Sequence, residues 1–243
     1  MRNIKIVVQY DGTDYCGWQR QPDSLGIQGH IENAIKEITK ENVKIVGSGR
    51  TDAGVHALGQ VANFKIESLI PIEKIPNALN SKLPRDISVV NSEEVECDFH
   101  ARYNAKGKTY RYMIYTGEYR SPIYKGISYH VKYDLDFEKM KKEAKSLVGE
   151  YDFGGFVSSG SSAKSTVREI YDIQLYKQED MIIVEVTGNG FLYNMVRIIV
   201  GTLVDIGRGK ITNNMSEIIK SKKRGMCGHT APAHGLFLKK VYY

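Results

Sequence analysis

Gly47-Ser48-Gly49-Arg50-Thr51-Asp52-Ala53-Gly54-Val55-His56-Ala57 stands between two apolar runs, residues 43–46 before it and the alternating residues 60–66 after it. Both runs read as strands. A strand, a glycine-studded turn and a second strand hold one carboxylate, Asp52, at the lip of a sheet. The glycines permit positive φ or close backbone approach, which is useful where a ligand comes near. Arg50 and His56 flank the acid, so a cationic neighbour can keep it ionised. A glycine-rich turn after a strand is most often only a turn, and a loop aspartate is most often a solvated charge or a cap. Two nucleotide-binding readings fail on spacing. The third glycine of a dinucleotide fingerprint falls where Asp52 stands, and no Lys-Ser/Thr pair follows as a phosphate loop requires.

The chain has 243 residues, enough for one large domain or two small ones with a sizeable core. With 42% hydrophobic and 26% charged residues, it reads as an ordinary globular protein. No apolar run approaches the roughly 20 residues that span a bilayer. Residues 1–5 run straight into a strand pattern without a signal-peptide core, so a cytoplasmic location is expected. Cys16, Cys97 and Cys227 are far apart and lack CxxC spacing, and the histidines form no HExxH pair. Neither a disulfide framework nor a protein-built metal site is expected. A net charge of +6 is compatible with a polyanionic partner.

Outward from the Asp52 loop, residues 4–9 form an apolar strand. Ile27, Ile31, Ala34, Ile35 and Ile38 recur at helical spacing, predicting a helix over 27–40. Ile72, Ile75, Ala78, Leu79 and Leu83 predict a second helix ended by Pro84, and 87–90 a strand. This half spells β-α-β-β-α-β. Beyond it, 108–115 alternates and is rich in β-formers. Phe137, Met140, Ala144, Leu147 and Val148 mark one face of a helix stopped by Gly149. Residues 154–165, loaded with Gly and Ser, read as a mobile loop. A hairpin spans 168–176 and 181–186, an apolar helix 191–206, a shorter helix carries Met215, Ile218 and Ile219, and 236–242 is a closing strand. The order of the first half returns. Two ferredoxin-like (RRM-like) halves, 1–104 and 105–243, each with helices on one face of its sheet, make an α+β protein. If the sheets join edge to edge, the cleft between them suits a substrate and the Asp52 loop faces it.

Several side chains invite a second reading. Tyr10, Trp18 and Arg20 share one loop, and an aromatic beside a cation suits base stacking, although Tyr10 and Trp18 equally cap a core. Phe99-His100-Ala101-Arg102-Tyr103 repeats that mixture. Arg197 lies alone in an apolar helix, where it either snorkels, makes a structural ion pair or meets a functional anion. Lys220, Lys222, Lys223 and Arg224 can contact phosphates, though such a run is more often a solvated face. Tyr110 and Tyr112 share one strand face, and core is the better reading for one of them.

Gly49-Arg50-Thr51-Asp52-Ala53-Gly54-Val55-His56-Ala57 resembles the signature of the tRNA pseudouridine synthase A family. Tyr10-Asp11-Gly12-Thr13 with Gly17-Trp18-Gln19 is similar to that family's opening motif. Asp98-Phe99-His100-Ala101-Arg102, Tyr110-Arg111-Tyr112 and Asn194-Met195-Val196-Arg197 follow in the expected order, so the likeness covers nearly the whole chain. The resemblance implies the pseudouridine synthase fold, two ferredoxin-like halves joined into one continuous, mostly antiparallel sheet with a central cleft. It implies an isomerase that converts uridine to pseudouridine in the anticodon stem-loop of tRNA, typically at positions 38 to 40 in tRNA numbering. Asp52 is then the nucleophile, Tyr110 stacks on the flipped uracil, Arg197 pairs with Asp52, and Arg50 intrudes into the RNA. His56, Arg102, Lys220, Lys222, Lys223 and Arg224 are further RNA contacts. The family implies a homodimer with no metal or organic cofactor. Three alternatives stand beside it: a family paralogue acting on another RNA uridine, a non-catalytic RNA-binding or remodelling protein, and an aspartyl-nucleophile hydrolase. An Mg²⁺-dependent hydrolase lacks its acidic cluster here.

Overall fold

The computed structural model describes residues 1–21, 26–161 and 163–243. Of the loop expected over 154–165, Ser162 lies outside the described residues. The chain divides into two units, residues 1–106 with 237–243, and residues 107–236.

The first unit opens with β1 (Arg2–Tyr10), whose alternation sends Ile4, Ile6, Val8 and Tyr10 inward. Helix α1 (Gly26–Thr39) buries Ile27, Ile31, Ala34 and Ile35, the face its periodicity predicted. Each fully buried isoleucine contributes about 1.5–3 kcal/mol over an exposed one. Strand β2 is only Val46–Gly47. It is shorter than the run 43–46 suggested because the Ile45 amide donates instead to Glu32 Oε1 on α1, at 3.1 Å. Strand β3 (His56–Ile66) begins four residues before the alternating run, immediately beyond the Asp52 turn. Helix α2 (Ile75–Asn80) follows a 3₁₀ turn, and β4 (Ile87–Val95) extends past its predicted end. The strands run β4-β1-β3, antiparallel, with β2 on β3. Ile35, Phe64, Ile66, Ile75 and Leu79 line one small cavity, so α1 and α2 pack on the sheet face that carries Phe64 and Ile66.

In the second unit, β5 (Gly107–Tyr115) pairs antiparallel with β9 (Met181–Gly188), which pairs with β8 (Val167–Gln178), and β8 with β7 (Gly149–Asp152). A two-residue strand, β6 (Tyr129–His130), lies parallel to β5. Helix α3 (Phe137–Ala144) is capped by Asp136, which accepts the Lys139 amide at 2.9 Å, and Gly149 at φ +122 follows it. Helix α4 spans Met195–Gly207, and α5 spans Met215–Ser221 with an Asn214/Glu217 capping box. The apolar run predicted α4 from 191, but Asn194 takes φ 61 and the helix starts only after it.

The last strand, β10 (Leu236–Tyr242), was expected to close the second half. From Phe237 onward it belongs to the first unit instead, because it runs parallel to β3 with Phe237 opposite His56 and Leu238 opposite Ala57. No helix among the described residues is long and apolar enough to cross a membrane.

Candidate active site

Asp52 sits half-buried in a turn closed by the Val55 amide donating to the Asp52 carbonyl at 3.1 Å. Gly54, at φ +74, supplies the left-handed residue that this tight return needs. The turn is pinned on both sides. Ahead of it, Ser48 donates its amide to Val61 O (2.7 Å) and its hydroxyl to Gln60 Oε1 (2.7 Å), and Gln60 Nε2 donates to Gly49 O (3.0 Å). Behind it, β1 and β3 change register between Val8 and Tyr10, so that Leu58 and Gly59 together oppose Gln9. Such a bulge bends a strand beside a site.

The loop after β1 forms the wall of this turn. The Tyr10 hydroxyl lies 2.8 Å from Thr51 Oγ1, both groups buried, and the Trp18 amide donates to Thr51 O at 3.1 Å. Tyr10 and Trp18 are 4% and 3% exposed, with their rings 6.2 Å apart, so the core reading holds for both. His56 is 1% exposed, its ring stacked on Phe237 at 4.6 Å. Its Nδ1 lies 3.0 Å from the Gly12 amide, a donor, and 3.1 Å from Asp11 Oδ1, an acceptor. The first contact needs a bare Nδ1 and the second a protonated one; we assign the backbone bond to the neutral ring. Burial pushes the Asp11 carboxyl up, but the hydrogen bonds from the Thr13 hydroxyl and amide help to hold it below the usual range. His56, expected to touch RNA, therefore braces the turn from inside and offers an RNA no surface. Arg50 is exposed at the turn's leading edge. Arg102 is exposed as well, 6.0 Å from the Tyr103 ring, on a segment tied down by Asn63, whose Oδ1 accepts the Ala101 amide at 2.9 Å.

In the second unit the two strand tyrosines part company. Tyr112 is fully buried and donates to Pro232 O at 2.7 Å; burial pushes its phenol well above the usual value. Tyr110 is half-buried, with its ring edge-on to Phe191 at 5.2 Å. One is core, the other presents part of a ring. Every residue of α4 except Arg197 is buried. Arg197, half-buried in the first turn, donates from Nε to Ala231 O (2.7 Å) and from Nη1 to Asn194 Oδ1 (2.7 Å). These bonds fix the guanidinium plane and leave further N–H groups for an anion, which the nearby positive end of the helix also favours.

The basic run does not act as one patch. Lys220 and Lys223 are exposed, and the Lys222 ammonium lies 2.8 Å from Asp152 Oδ2. Arg224, half-buried, donates to Gly228 O (2.8 Å) and Thr230 Oγ1 (3.1 Å). Among the described residues, no group of three His, Cys, Asp or Glu side chains is placed to hold a metal ion.

The family described as tRNA pseudouridine synthase matches the chain over residues 6–104 and 144–243, which include the Asp52 turn and Arg197. The chain belongs to the tRNA pseudouridine synthase family. A protein of Acetivibrio thermocellus named tRNA pseudouridine synthase A is 52% identical over 244 residues, covering 100% of both chains. One of Caldicellulosiruptor saccharolyticus with the same name is 53% identical over the same lengths. A chain from the structure of an H/ACA ribonucleoprotein bound to a substrate RNA containing 2'-deoxyuridine aligns over 83% of this chain at 14% identity and a TM-score of 0.36. This chain spans about half of that one, 52%. Membership accounts for the α+β architecture of a pseudouridine synthase, with helices laid on mostly antiparallel sheet.

Proposed function

We propose that the chain is a tRNA pseudouridine synthase, an isomerase that converts uridine to pseudouridine in the anticodon stem-loop. The observation that carries this reading is full-length identity of 52–53% to relatives bearing that name, joined to a half-buried aspartate in a turn braced on both flanks. The reaction breaks the C1′–N1 bond, turns the uracil and joins C5 to C1′. No electrons are gained or lost and no group leaves, so the overall change calls for neither an oxidant nor a group carrier.

Asp52 is the nucleophile in this reading. A carboxylate that forms a covalent intermediate splits one hard step into two easier ones. It must be unprotonated to attack, and Arg197 is its cationic partner in this reading. The target uridine is held in folded RNA and must be extruded, at a cost of a few kcal/mol. Stacking on the exposed part of Tyr110 returns about 1–3 kcal/mol of it. Arg50 supports the displaced nucleotide, and Arg102, Lys220 and Lys223 supply salt-sensitive phosphate contacts. The protein works as a cytoplasmic homodimer, with positions 38 to 40 as its targets.

Transcripts carrying tritium at uridine C5 test the reading, because joining C5 to C1′ sends the C5 hydrogen to water. Tritium release, with pseudouridine mapped to the anticodon arm, is expected. A complex that releases none would end the anticodon-arm reading and leave another RNA uridine as the target first, and a non-catalytic RNA-binding protein after that. Arg197→Lys is expected to lower kcat by about 100-fold, since an ammonium cannot reproduce the planar fork that Asn194 and Ala231 hold. Wild-type kcat in that variant would remove Arg197 from the mechanism.

A further inference from the structure

Residues 227–232 cross the middle of α4 at backbone contact. A Cβ on Gly201 would lie 1.8 Å from the His229 carbonyl oxygen, and one on Gly228 would lie 2.6 Å from the Gly201 carbonyl oxygen. Only glycines permit this crossing. Thr202 stitches it, accepting the Gly228 amide at 2.9 Å and donating to Ile198 O at 2.7 Å. Arg224 grips the same strap through Gly228 and Thr230.

One turn along α4 lies Asp205, 6% exposed. Its Oδ2 accepts both the His229 amide (3.1 Å) and His229 Nδ1–H (2.9 Å). A carboxylate only accepts, so a proton sits on Nδ1, while Nε2 lies 3.2 Å from the Tyr129 hydroxyl. Burial pushes the Asp205 carboxyl up, yet the His229 bonds outweigh it and hold it below the usual range. Its Oδ1 has no hydrogen-bond partner among the described residues, and the Lys210 ammonium stands 3.9 Å away. A buried carboxylate tied this way is weak as a source of stability alone.

The far end of the strap gives it another use. Ala231 accepts Arg197 Nε–H at 2.7 Å and donates its own amide to Arg197 O at 3.1 Å, and the next carbonyl, Pro232, receives Tyr112. The position of the strap thus sets the plane of the guanidinium. We propose that Asp205 and His229 are positioning residues for Arg197, locking the strap on α4 so that Ala231 holds the guanidinium in its working orientation. The inference rests on the reading of Arg197 given above. Neither residue touches the substrate; both act through the strap.

The test measures kcat, KM and tRNA Kd for His229→Ala, alone and combined with Arg197→Lys. His229→Ala should lower kcat by about 10- to 100-fold while KM and Kd stay within about threefold. In the Arg197→Lys background the same change should cost less than about threefold, because coupled residues are not additive. His229→Asn, whose Nδ2–H falls where Nδ1–H lay, should restore kcat to within about threefold of wild type. If His229→Ala does not fold, His229→Gln, which displaces the N–H, carries the same comparison. Unchanged kcat in the His229 variant, or an equal loss in both backgrounds, overturns the inference. Wild-type kcat in Arg197→Lys overturns the reading of Arg197 and the inference with it.

Discussion

Asp52→Asn should abolish turnover, lowering the single-turnover rate by at least about 10⁴-fold, as loss of a covalent nucleophile does. Asparagine matches aspartate in size, and the change leaves in place the bonds the turn makes through Asp52 O, Thr51 and Ser48. The turn should therefore survive the change. Affinity for tRNA should stay within about threefold, because phosphate contacts from distant basic residues carry the sequence-independent share of binding. Tritium release and filter binding on the same preparations check both halves. Turnover within about tenfold of wild type would end the nucleophile assignment, whatever the binding showed.

The turn around Asp52 was legible because its signal is local. A strand, three glycines and one acid occupy a single stretch, and the residue types around Asp52 need no tertiary partner to be noticed. Helix α1 was legible for the same reason, since Ile27, Ile31, Ala34 and Ile35 follow its period and are buried. Boundaries blurred where one residue overrides a periodic pattern. The apolar run from 191 continues smoothly into α4, and only the positive φ of Asn194 delays the helix. The bulge at Leu58–Gly59 breaks the alternation that would have announced β3 from His56.

Contacts between distant segments left no pattern to read. Nothing periodic joins Tyr10 to Thr51 or Asp205 to His229. The parallel pairing of β10 with β3 is equally silent, because an alternating strand does not name its partner. Arg224 looked like its neighbours in a basic run, and its bonds to Gly228 O and Thr230 Oγ1 distinguish it. The glycines of the opening motif carry no periodic signal either, and their meaning is steric.

Gly17 shows how large that meaning is. It takes φ +101, and a Cβ there would lie 2.3 Å from Thr51 O and 3.0 Å from Asp52 C. Both neighbours are backbone, so the clash cannot be relieved by a rotamer; the segment bearing Asp52 must move. Its own carbonyl also accepts the Ile27 amide at 3.2 Å, and the next amide, of Trp18, donates to Thr51 O. Backbone strain and overpacking each cost about 1–3 kcal/mol, so Gly17→Ala should lose about 2–6 kcal/mol in urea unfolding. Gly209→Ala isolates the first contribution, since Gly209 has φ +71 and nothing within 4 Å of its Cβ position. It should lose only about 1 kcal/mol and keep wild-type turnover. Folded Gly17→Ala should in addition be slow, with kcat reduced by about 10-fold or more, because displacing Thr51 displaces Asp52. Equal stability and equal turnover in the two variants would mean that the opening loop only fills space beside the turn. A loss of turnover confined to Gly17→Ala would make the loop the template on which the nucleophile is set.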